Sequence, residues 1–220
     1  MESRDEDRAN VHRLVLPIQL SDLGMQVRLV TEVESNDITV AIPTIPVRQT
    51  ELFRALSSAI ADQTLPADAV SIAVDLDRRG AAVTRQRALD GVKTKWVAFL
   101  DDDDYYYPTY LETCARLAVE NLADVVYTWF DGNNPFPMHR GKQWNPDDPH
   151  HLTMTLFVRT ELAKAVGFTT KHPEGWVLPQ EDWQFILGLR DVGARFVGTG
   201  DVLWHYTVNG KNTSGRPDRW

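Results

Sequence analysis

The chain has 220 residues, enough for one sizeable core, and its 43% hydrophobic and 25% charged residues are ordinary globular values. A net charge of −8 argues against a general nucleic-acid or membrane-surface binder, because both partners attract basic proteins. No apolar run reaches the length of a membrane span. Cys114 is the single cysteine, so no intrachain disulfide forms, and residues 1–7 are too acidic for a secretory signal. Together these features favour a cytoplasmic location.

The N-terminal residues differ in pattern from the remainder of the chain. Residues 1–10 are polar and are expected to be disordered. Apolar runs at 14–16 and 27–30 flank a turn-forming segment around Ser21, and this pattern predicts a β-hairpin. We therefore divide the chain into an N-terminal extension, residues 1–36, and a main domain, residues 37–220.

The first half of the main domain alternates short β-rich runs with helical patterns. Strands are predicted at Ile38–Ile42, Ala69–Val74 and Trp96–Leu100, and helices from about Thr50 and over Gly80–Val92. Strands that alternate with helices at this spacing form βαβ units. The sequence thus predicts an α/β, Rossmann-like domain with a mostly parallel central sheet.

The second half continues the alternation around a long polar stretch. Residues 131–149 are rich in Gly, Asn, Pro and Asp, and they predict a long loop, of the kind that is commonly functional. The other predicted elements are a helix after Pro108 with Leu111, Cys114, Ala118 and Leu122 on one stripe, strands at 124–130, 152–158, 195–197 and 202–206, and helices at 161–166 and 181–192.

The run Asp101-Asp102-Asp103-Asp104 directly follows the most apolar predicted strand. Ligands bind beyond the carboxyl ends of strands in α/β sheets, and adjacent carboxylates repel one another unless a counter-charge is present. Oxygen ligands of this kind suit Mg²⁺ or Mn²⁺. Asp101 and Asp103 point the same way on an extended segment and could share a cation. A solvated acidic loop is the alternative.

Several short motifs occur in the order and spacing of a known family. They are Pro43-Thr44 after the first strand, Asp75 after the second, Thr84-Arg85-Gln86-Arg87 on a helix, Phe99-Leu100-Asp101-Asp102-Asp103-Asp104, Glu181-Asp182-Trp183, and the tail from Trp204 to Gly215. This set resembles the glycosyltransferases of the GT-A fold, specifically the large inverting family 2. The resemblance spans roughly residues 37–215, although Ile45-Pro46 and the Arg85 helix depart from the usual motifs.

The resemblance implies roles in binding a nucleotide-sugar donor of the UDP, GDP or dTDP type. Pro43 and Thr44 would lie at the donor, and Asp75 would meet the nucleobase. Asp101 would contact the ribose or the metal, and Asp103, as part of a DxD motif, would contact Mn²⁺ or Mg²⁺ directly. Asp104 is a second candidate ligand, and Asp102 has mainly a structural role. Arg85 would pair with the diphosphate or pack over the base; a surface arginine is the alternative.

Catalytic roles fall on the start of the last predicted helix. Asp182 is the proposed general base that accepts the acceptor's proton, with Glu181 as the first substitute. A carboxylate there could instead simply stabilise the helix dipole. His205 is a candidate third metal ligand, since a late His has that role in many GT-A enzymes; a half-buried structural His is the alternative.

The resulting hypothesis is a metal-dependent, inverting glycosyltransferase that moves a sugar from a nucleotide-sugar to an acceptor hydroxyl. The acceptor is a carbohydrate, a protein or another hydroxyl compound, and a homo-oligomer is a further expectation. One alternative is a sugar-nucleotide pyrophosphorylase-like nucleotidyltransferase, although Pro43–Arg48 lacks the glycine-rich loop usual in such enzymes. Another is a non-catalytic GT-A-like metal- or sugar-binding module.

Overall fold

Strand and helix alternate through the first half of the domain, as predicted. The computed structural model describes residues 36–132, 141–147, 154–169 and 181–207, so the hairpin and the domain boundary predicted for residues 1–36 stay predictions. The elements of the first half are β1 (Ile38–Thr44), α1 (Gln49–Ile60), β2 (Ala69–Val74), α2 (Ala81–Asp90) and β3 (Trp96–Phe99).

The second half contains one strand more than expected near the acidic run and one fewer at the end. The elements are β4 (Tyr105–Tyr106), α3 (Tyr110–Glu120), β5 (Val125–Gly132), β6 (Leu156–Arg159), α4 (Thr160–Val166), α5 (Glu181–Asp191) and β7 (Phe196–Tyr206). The two predicted final strands are one strand, β7, with irregular register opposite Trp129. Leu122 was placed on the buried stripe of the helix, but α3 ends before it and its side chain is 66% exposed.

The described strands form one mixed sheet in the order β2-β1-β3-β6-β5-β7-β4. β1 pairs in parallel with β2 and β3, and β5 with β7, but β6 runs antiparallel to β3 and β5, and β4 antiparallel to β7. The prediction of a mostly parallel sheet was therefore wrong. Parallel neighbouring strands need a crossover connection, usually a helix, and such a helix precedes both β2 and β3. No helix was predicted in the loop before β6, and β6 pairs antiparallel with both of its neighbours.

The core has two halves, one on each face of the sheet. Alternate residues of β1 and β3 point to opposite faces, so Val40 and Ala98 pack with α1 and α3, whereas Ala41 and Val97 pack with α2, α4 and α5. Cys114 of α3 is fully buried in the first half, and this burial raises the pKa of its thiol. Because both faces are covered, the functional groups must lie at the ends of the strands.

Part of the predicted long loop is held firmly against the sheet. Asp131 and Gly132 continue β5, and Trp144 is only 6% exposed. The Trp144 N–H donates to the Tyr127 hydroxyl, and the Gln143 side-chain amide donates to the Gly198 carbonyl at 2.7 Å. Residues 141–147 are thus anchored to β5 and β7, a feature that composition alone did not predict.

Among the helices that the structure describes, none is both long and apolar enough to cross a membrane.

Candidate active site

Apart from Arg85, which lies in α2, the predicted donor-binding residues lie at the carboxyl ends of β1, β2 and β3, which are neighbouring parallel strands. Thr44 ends β1, Asp75 follows β2, and the acidic run follows β3. The Asp104 N–H donates to the Asp101 carbonyl at 3.1 Å, so the run forms a turn rather than an extended segment. The four carboxylates therefore point to different partners.

Arg48 contacts two of these carboxylates from the loop before α1. Its Nη1 lies 2.7 Å from Asp102 Oδ1 and 3.2 Å from Asp103 Oδ2, and the Thr44 hydroxyl donates to Asp102 Oδ2 at 2.6 Å. The side chains of Arg48, Asp102 and Asp103 are each less than 10% exposed. Burial raises the pKa of Asp102, although Thr44 and Arg48 oppose this. Asp102 thus has the structural role predicted for it, and Thr44 supports it.

Asp103 and Asp104 are buried carboxyls in a crowded negative field. Burial, followed by the charge of Asp101, raises the pKa of Asp103 to about 7. Burial also raises the pKa of Asp104 well above its usual range, and Asp104 Oδ1 accepts the Thr207 N–H at 2.8 Å. Such carboxyls gain from a nearby cation, because a positive charge favours their ionised form.

Arg85 of α2 joins the acidic run to the start of α5. Its Nη2 lies 2.9 Å from both oxygens of Asp101, and its Nη1 lies 2.6 Å from Glu181 Oε1. Burial alone would lower the Arg85 pKa, but the charges of Asp101 and Glu181 raise it above its usual range. The guanidinium is nearly buried, whereas the side chains of Asp101 and Glu181 are 34% and 24% exposed. Two motifs 80 residues apart in sequence thus meet at one guanidinium.

Asp182 lies beside this ion-pair cluster. It is half-buried in the first turn of α5, and its Oδ1 accepts the Trp183 N–H at 2.7 Å. The charge of Asp182 also acts on Arg85, so the two groups are near one another. The two predicted catalytic acids therefore have different partners. Glu181 contacts the Arg85 guanidinium, whereas Asp182 accepts a hydrogen bond from a backbone N–H.

Asp75 supports the loop that leads into α2. Its two oxygens accept the N–H groups of Arg79 and Gly80 at 2.8 and 2.9 Å, and it is 2% exposed. Gly80 has φ of 90°, a conformation that favours glycine, directly before α2 begins. Pro43 is half-buried in β1, opposite Ala73. Pro43 and Asp75 therefore lie at the carboxyl ends of the strands, as predicted. The contacts of Asp75 that the structure describes are structural.

His205 lies in a separate group of side chains. Its Nδ1 is 2.9 Å from Asp131 Oδ1, and its ring stacks on Tyr105 with centroids 4.7 Å apart. Within the described ranges, no group of three or more His, Cys, Asp or Glu side chains could hold a metal ion. The structure therefore does not join His205 with the aspartates in a metal cluster, and its visible role is the structural alternative.

The sequence matches a known family over residues 54–191, most of the domain that carries these contacts. The matching family is glycosyl transferase family 2. The chain belongs to this family. A curated relative, the uncharacterized glycosyltransferase YibD of Escherichia coli (strain K12), is 46% identical over 46 residues, which are 21% of this chain and 13% of YibD.

Solved structures of Staphylococcus aureus TarS share the fold. The complex of TarS 1-349 with UDP-GlcNAc has a TM-score of 0.66 and 18% identity, and it covers 78% of this chain and 58% of the TarS chain. The complex with UDP has a TM-score of 0.62 and 20% identity, with 79% and 61% covered. The chain thus spans about three fifths of these structures. The fold of this family 2 domain is that of a GT-A glycosyltransferase.

Asp101 and Asp103 carry oxygen ligands of the type that a divalent cation takes, although no third His, Cys, Asp or Glu joins them in a metal-binding group among the described residues. Mg²⁺ and similar ions are commonly held by one or two carboxylates, with the remaining positions filled by substrate phosphates and water. Asp101 is partly exposed, and burial, followed by the charge of Asp101 and opposed by Arg48, raises the pKa of Asp103.

Arg48 is the site residue that sequence reasoning missed. The family 2 motifs do not include it, and it stands in a short segment between β1 and α1. A signal was nevertheless present. Arg48 closely follows Pro43-Thr44, so it lies near the carboxyl ends of the same strands as the four aspartates. Four neighbouring carboxylates favour a positive charge beside them.

Proposed function

We propose that this family 2 domain transfers a sugar from a nucleotide-diphosphate-sugar to an acceptor hydroxyl, with inversion at the anomeric carbon and with Mn²⁺ or Mg²⁺. The observation that carries the proposal is the guanidinium of Arg85, which brings Asp101 and the Glu181-Asp182 pair together. Asp101, a candidate donor ligand, and the candidate bases Glu181 and Asp182 are thus brought to the same guanidinium. The UDP and UDP-GlcNAc complexes of TarS, which has the same fold, support a UDP-type donor.

The donor would be held at the carboxyl ends of β1, β2 and β3. Asp75 and the loop that it supports would contact the base, and Pro43 would lie beside it, whereas Thr44 would act through its hydrogen bond to Asp102. Asp101 would bind the ribose or the cation, Asp103 would bind the cation, and Asp104 is a second candidate ligand. When bound, the cation would supply charge neutralisation for the departing diphosphate. Arg85, already engaged by two carboxylates, would position Asp101 and Glu181 rather than bind phosphate itself.

The transfer step would be a direct displacement. The acceptor oxygen attacks the anomeric carbon on the face opposite the diphosphate, the new C–O bond forms, and the bond to the diphosphate oxygen breaks. The acceptor's proton passes to Asp182, and the nucleoside diphosphate leaves with the bonding electron pair. Such base catalysis typically contributes ~10²–10⁴-fold. Arg85 keeps Glu181 in an ion pair, which leaves Asp182 as the better base.

Membership of family 2 favours the transferase over the pyrophosphorylase-like alternative. Only a measured activity would exclude the non-catalytic module. Hydrolysis of a nucleotide-sugar is a suitable activity to measure, because many transferases slowly use water as an acceptor. Calorimetry with UDP, GDP and dTDP, with and without Mn²⁺, therefore comes first, followed by a sugar-nucleotide hydrolysis assay. We expect one nucleotide to bind with Mn²⁺ and to lose affinity when EDTA removes the metal.

Asp103→Ala should weaken metal and nucleotide binding together. The matched control is Asp191→Ala, which removes an exposed aspartate that is paired with Arg190 at the end of α5. Tight binding of a nucleotide without metal would refute the role of the cation. Failure to bind any of UDP, GDP and dTDP, together with no hydrolysis of a UDP-, GDP- or dTDP-sugar, would refute the transferase. The cytoplasmic location and the oligomeric state stay predictions from the sequence.

A further inference from the structure

A second group of side chains lies beside the acidic run, in a cleft to which the preceding subsections assign no role. The cleft has a volume of about 550 Å³, and its lining residues are Arg54, Ser57, Ser58 and Asp62 of α1 and the loop after it, and Tyr105, Tyr106, Tyr107 and Pro108. Tyr105 directly follows Asp104, so one wall of the cleft begins where the acidic run ends. Arg54 lies six residues after Arg48, or about 9 Å along a helix at 1.5 Å per residue.

The wall made by Tyr105 is a rigid aromatic surface. Tyr106 and Trp204 of the β4–β7 pair point into the core and are 2% and 1% exposed, whereas their neighbours Tyr105 and His205 point the other way. The Tyr105 ring stacks on His205 with an interplanar angle of 14°, and the Tyr107 ring meets its edge at 5.8 Å.

A shared carboxylate fixes this surface in place. The Tyr107 hydroxyl donates to both oxygens of Asp131 at 2.8 Å, and His205 Nδ1 lies 2.9 Å from the same carboxylate. Asp131 belongs to β5 and His205 to β7, so the two strands hold the ring of Tyr105 through its stacked neighbour. A ligand that packs on Tyr105 would meet a preorganised side chain and would cost little ordering entropy.

The opposite wall supplies hydrogen-bonding groups. The guanidinium of Arg54, an exposed residue of α1, is 6.0 Å from the Tyr105 ring centroid. The Ser57 hydroxyl donates to Asp62 at 3.2 Å, an exposed pair that a ligand hydroxyl could join. An aromatic face opposed by a guanidinium, a hydroxyl and a carboxylate suits a hydroxyl-rich ring with one apolar face.

We propose that this cleft is an acceptor subsite that binds a neutral sugar unit, stacked on Tyr105, and that the acceptor is therefore an oligosaccharide. The proposal rests on the proposed transferase function, which it deepens by assigning the acceptor's chemical class. One sugar unit would present its hydroxyl at Asp182 while another unit of the same chain occupies the cleft. Binding energy from the second unit would then orient the first.

The test is binding of three neutral tetrasaccharides, cellotetraose, maltotetraose and chitotetraose, measured by saturation-transfer NMR and calorimetry in the presence of Mn²⁺ and UDP. We expect at least one to bind. Tyr105→Ala should weaken that binding about tenfold, because it removes the stacked ring, whereas Tyr105→Phe should retain it. Arg54→Ala, at an exposed position on α1, should also weaken it, and the exposed control Arg116→Ala should not.

Two results would overturn the subsite: none of the three tetrasaccharides binds, or Tyr105→Ala and Arg54→Ala both bind as tightly as the unmodified chain. Circular dichroism of each variant separates lost binding from lost folding, and Arg54→Ala does not touch the core. Nucleotide-sugar hydrolysis distinguishes the two proposals. Hydrolysis without tetrasaccharide binding refutes the subsite alone, whereas Tyr105-dependent binding without any nucleotide binding refutes the transferase alone.

Discussion

Arg48 and Arg85 are two buried arginines that contact the same run of aspartates, and their partners differ in exposure. The carboxylates of Asp102 and Asp103 around Arg48 are 4% and 7% exposed. Those of Asp101 and Glu181 around Arg85 are 34% and 24% exposed. The first cluster is nearly closed to solvent, and only Asp103 in it is proposed to reach a cation, whereas the second has carboxylate oxygens that are open to a ligand.

The two arginine–carboxylate clusters therefore differ in what they contribute. Removing one member of a fully buried ion pair leaves an uncompensated charge and is costly, whereas a partly exposed pair is screened by water and contributes less to stability. We infer that the Arg48 cluster stabilises the turn of the acidic run and that the Arg85 cluster positions side chains for a ligand. The following variants, in order of expected effect, test this division.

Arg48→Met should have the largest effect, a loss of about 3–5 kcal/mol in the free energy of unfolding, because Asp102 and Asp103 lose their buried counter-charge. Urea denaturation followed by circular dichroism measures it. Arg116→Met is the control, since that arginine is in an exposed pair with Glu120 and should change stability by about 0.5 kcal/mol or less. If Arg48→Met fails to fold, the added change Asp102→Asn should restore part of the stability. Equal effects of Arg48→Met and Arg116→Met would mean that the Arg48 cluster is not structural.

Asp182→Asn should reduce transfer by ~10²-fold or more, because the amide cannot accept a proton. Its shape and its place in the first turn of α5 are retained, so donor and metal should bind as before. The measurement is the transfer rate at saturating donor, with calorimetric donor affinity alongside. Glu181→Gln should be milder, since Glu181 already has Arg85 as a partner. A fully active Asp182→Asn would assign the base to Glu181 and leave Asp182 as a helix-dipole carboxylate.

Arg85→Lys should lower kcat/KM about tenfold, the equivalent of one hydrogen bond to a charged group. An ammonium keeps the charge but cannot span Asp101 and Glu181 with the fixed fork of a guanidinium. Stability should fall less than in Arg48→Met, because both partners are partly exposed. If Arg85→Lys destabilises the fold as strongly as Arg48→Met and leaves kcat/KM unchanged, the two clusters do not differ in purpose.

Thr44→Val should have the smallest effect, a loss of about 1–2 kcal/mol in stability from the missing hydrogen bond to Asp102, with donor affinity unchanged. Thr44→Ser, which keeps the hydroxyl, is the control. A variant that loses donor affinity while its stability is retained would instead place Thr44 at the donor, as the resemblance to family 2 implies.

Some parts of the site could be predicted from the sequence, and others could not. The acidic run after β3 and Asp75 after β2 were found because a strand and the residues that follow it are contiguous in sequence. The contact between Arg85 and Glu181 joins residues 96 positions apart, and no local pattern encodes such a pairing. Arg48 was missed because its role depends on the turn of Asp101–Asp104, which brings Asp102 toward β1.

The fold shows the same division between local and long-range information. The parallel direction of β1, β2 and β3 follows from alternating strands and helices and was predicted correctly, whereas their order in the sheet was not predicted. The direction of β6 depends on its pairing partners, and the anchoring of Trp144 depends on the distant Tyr127 and Gly198. His205 was a candidate metal ligand by resemblance, with a structural role as the alternative, and its partner Asp131 is adjacent to it only through the β5–β7 register.

Cys114 gives the chain an internal reporter of opening motions. Its thiol is 0% exposed in α3, its pKa is raised by burial, and it is the only cysteine in the sequence. Only a thiolate reacts rapidly with a disulfide reagent, so labelling must wait until α3 separates from the sheet. The labelling rate in a large excess of reagent would then equal the rate of that separation. The same measurement with nucleotide and metal bound would show whether a ligand at the far ends of the strands slows the opening of the helix layer behind them.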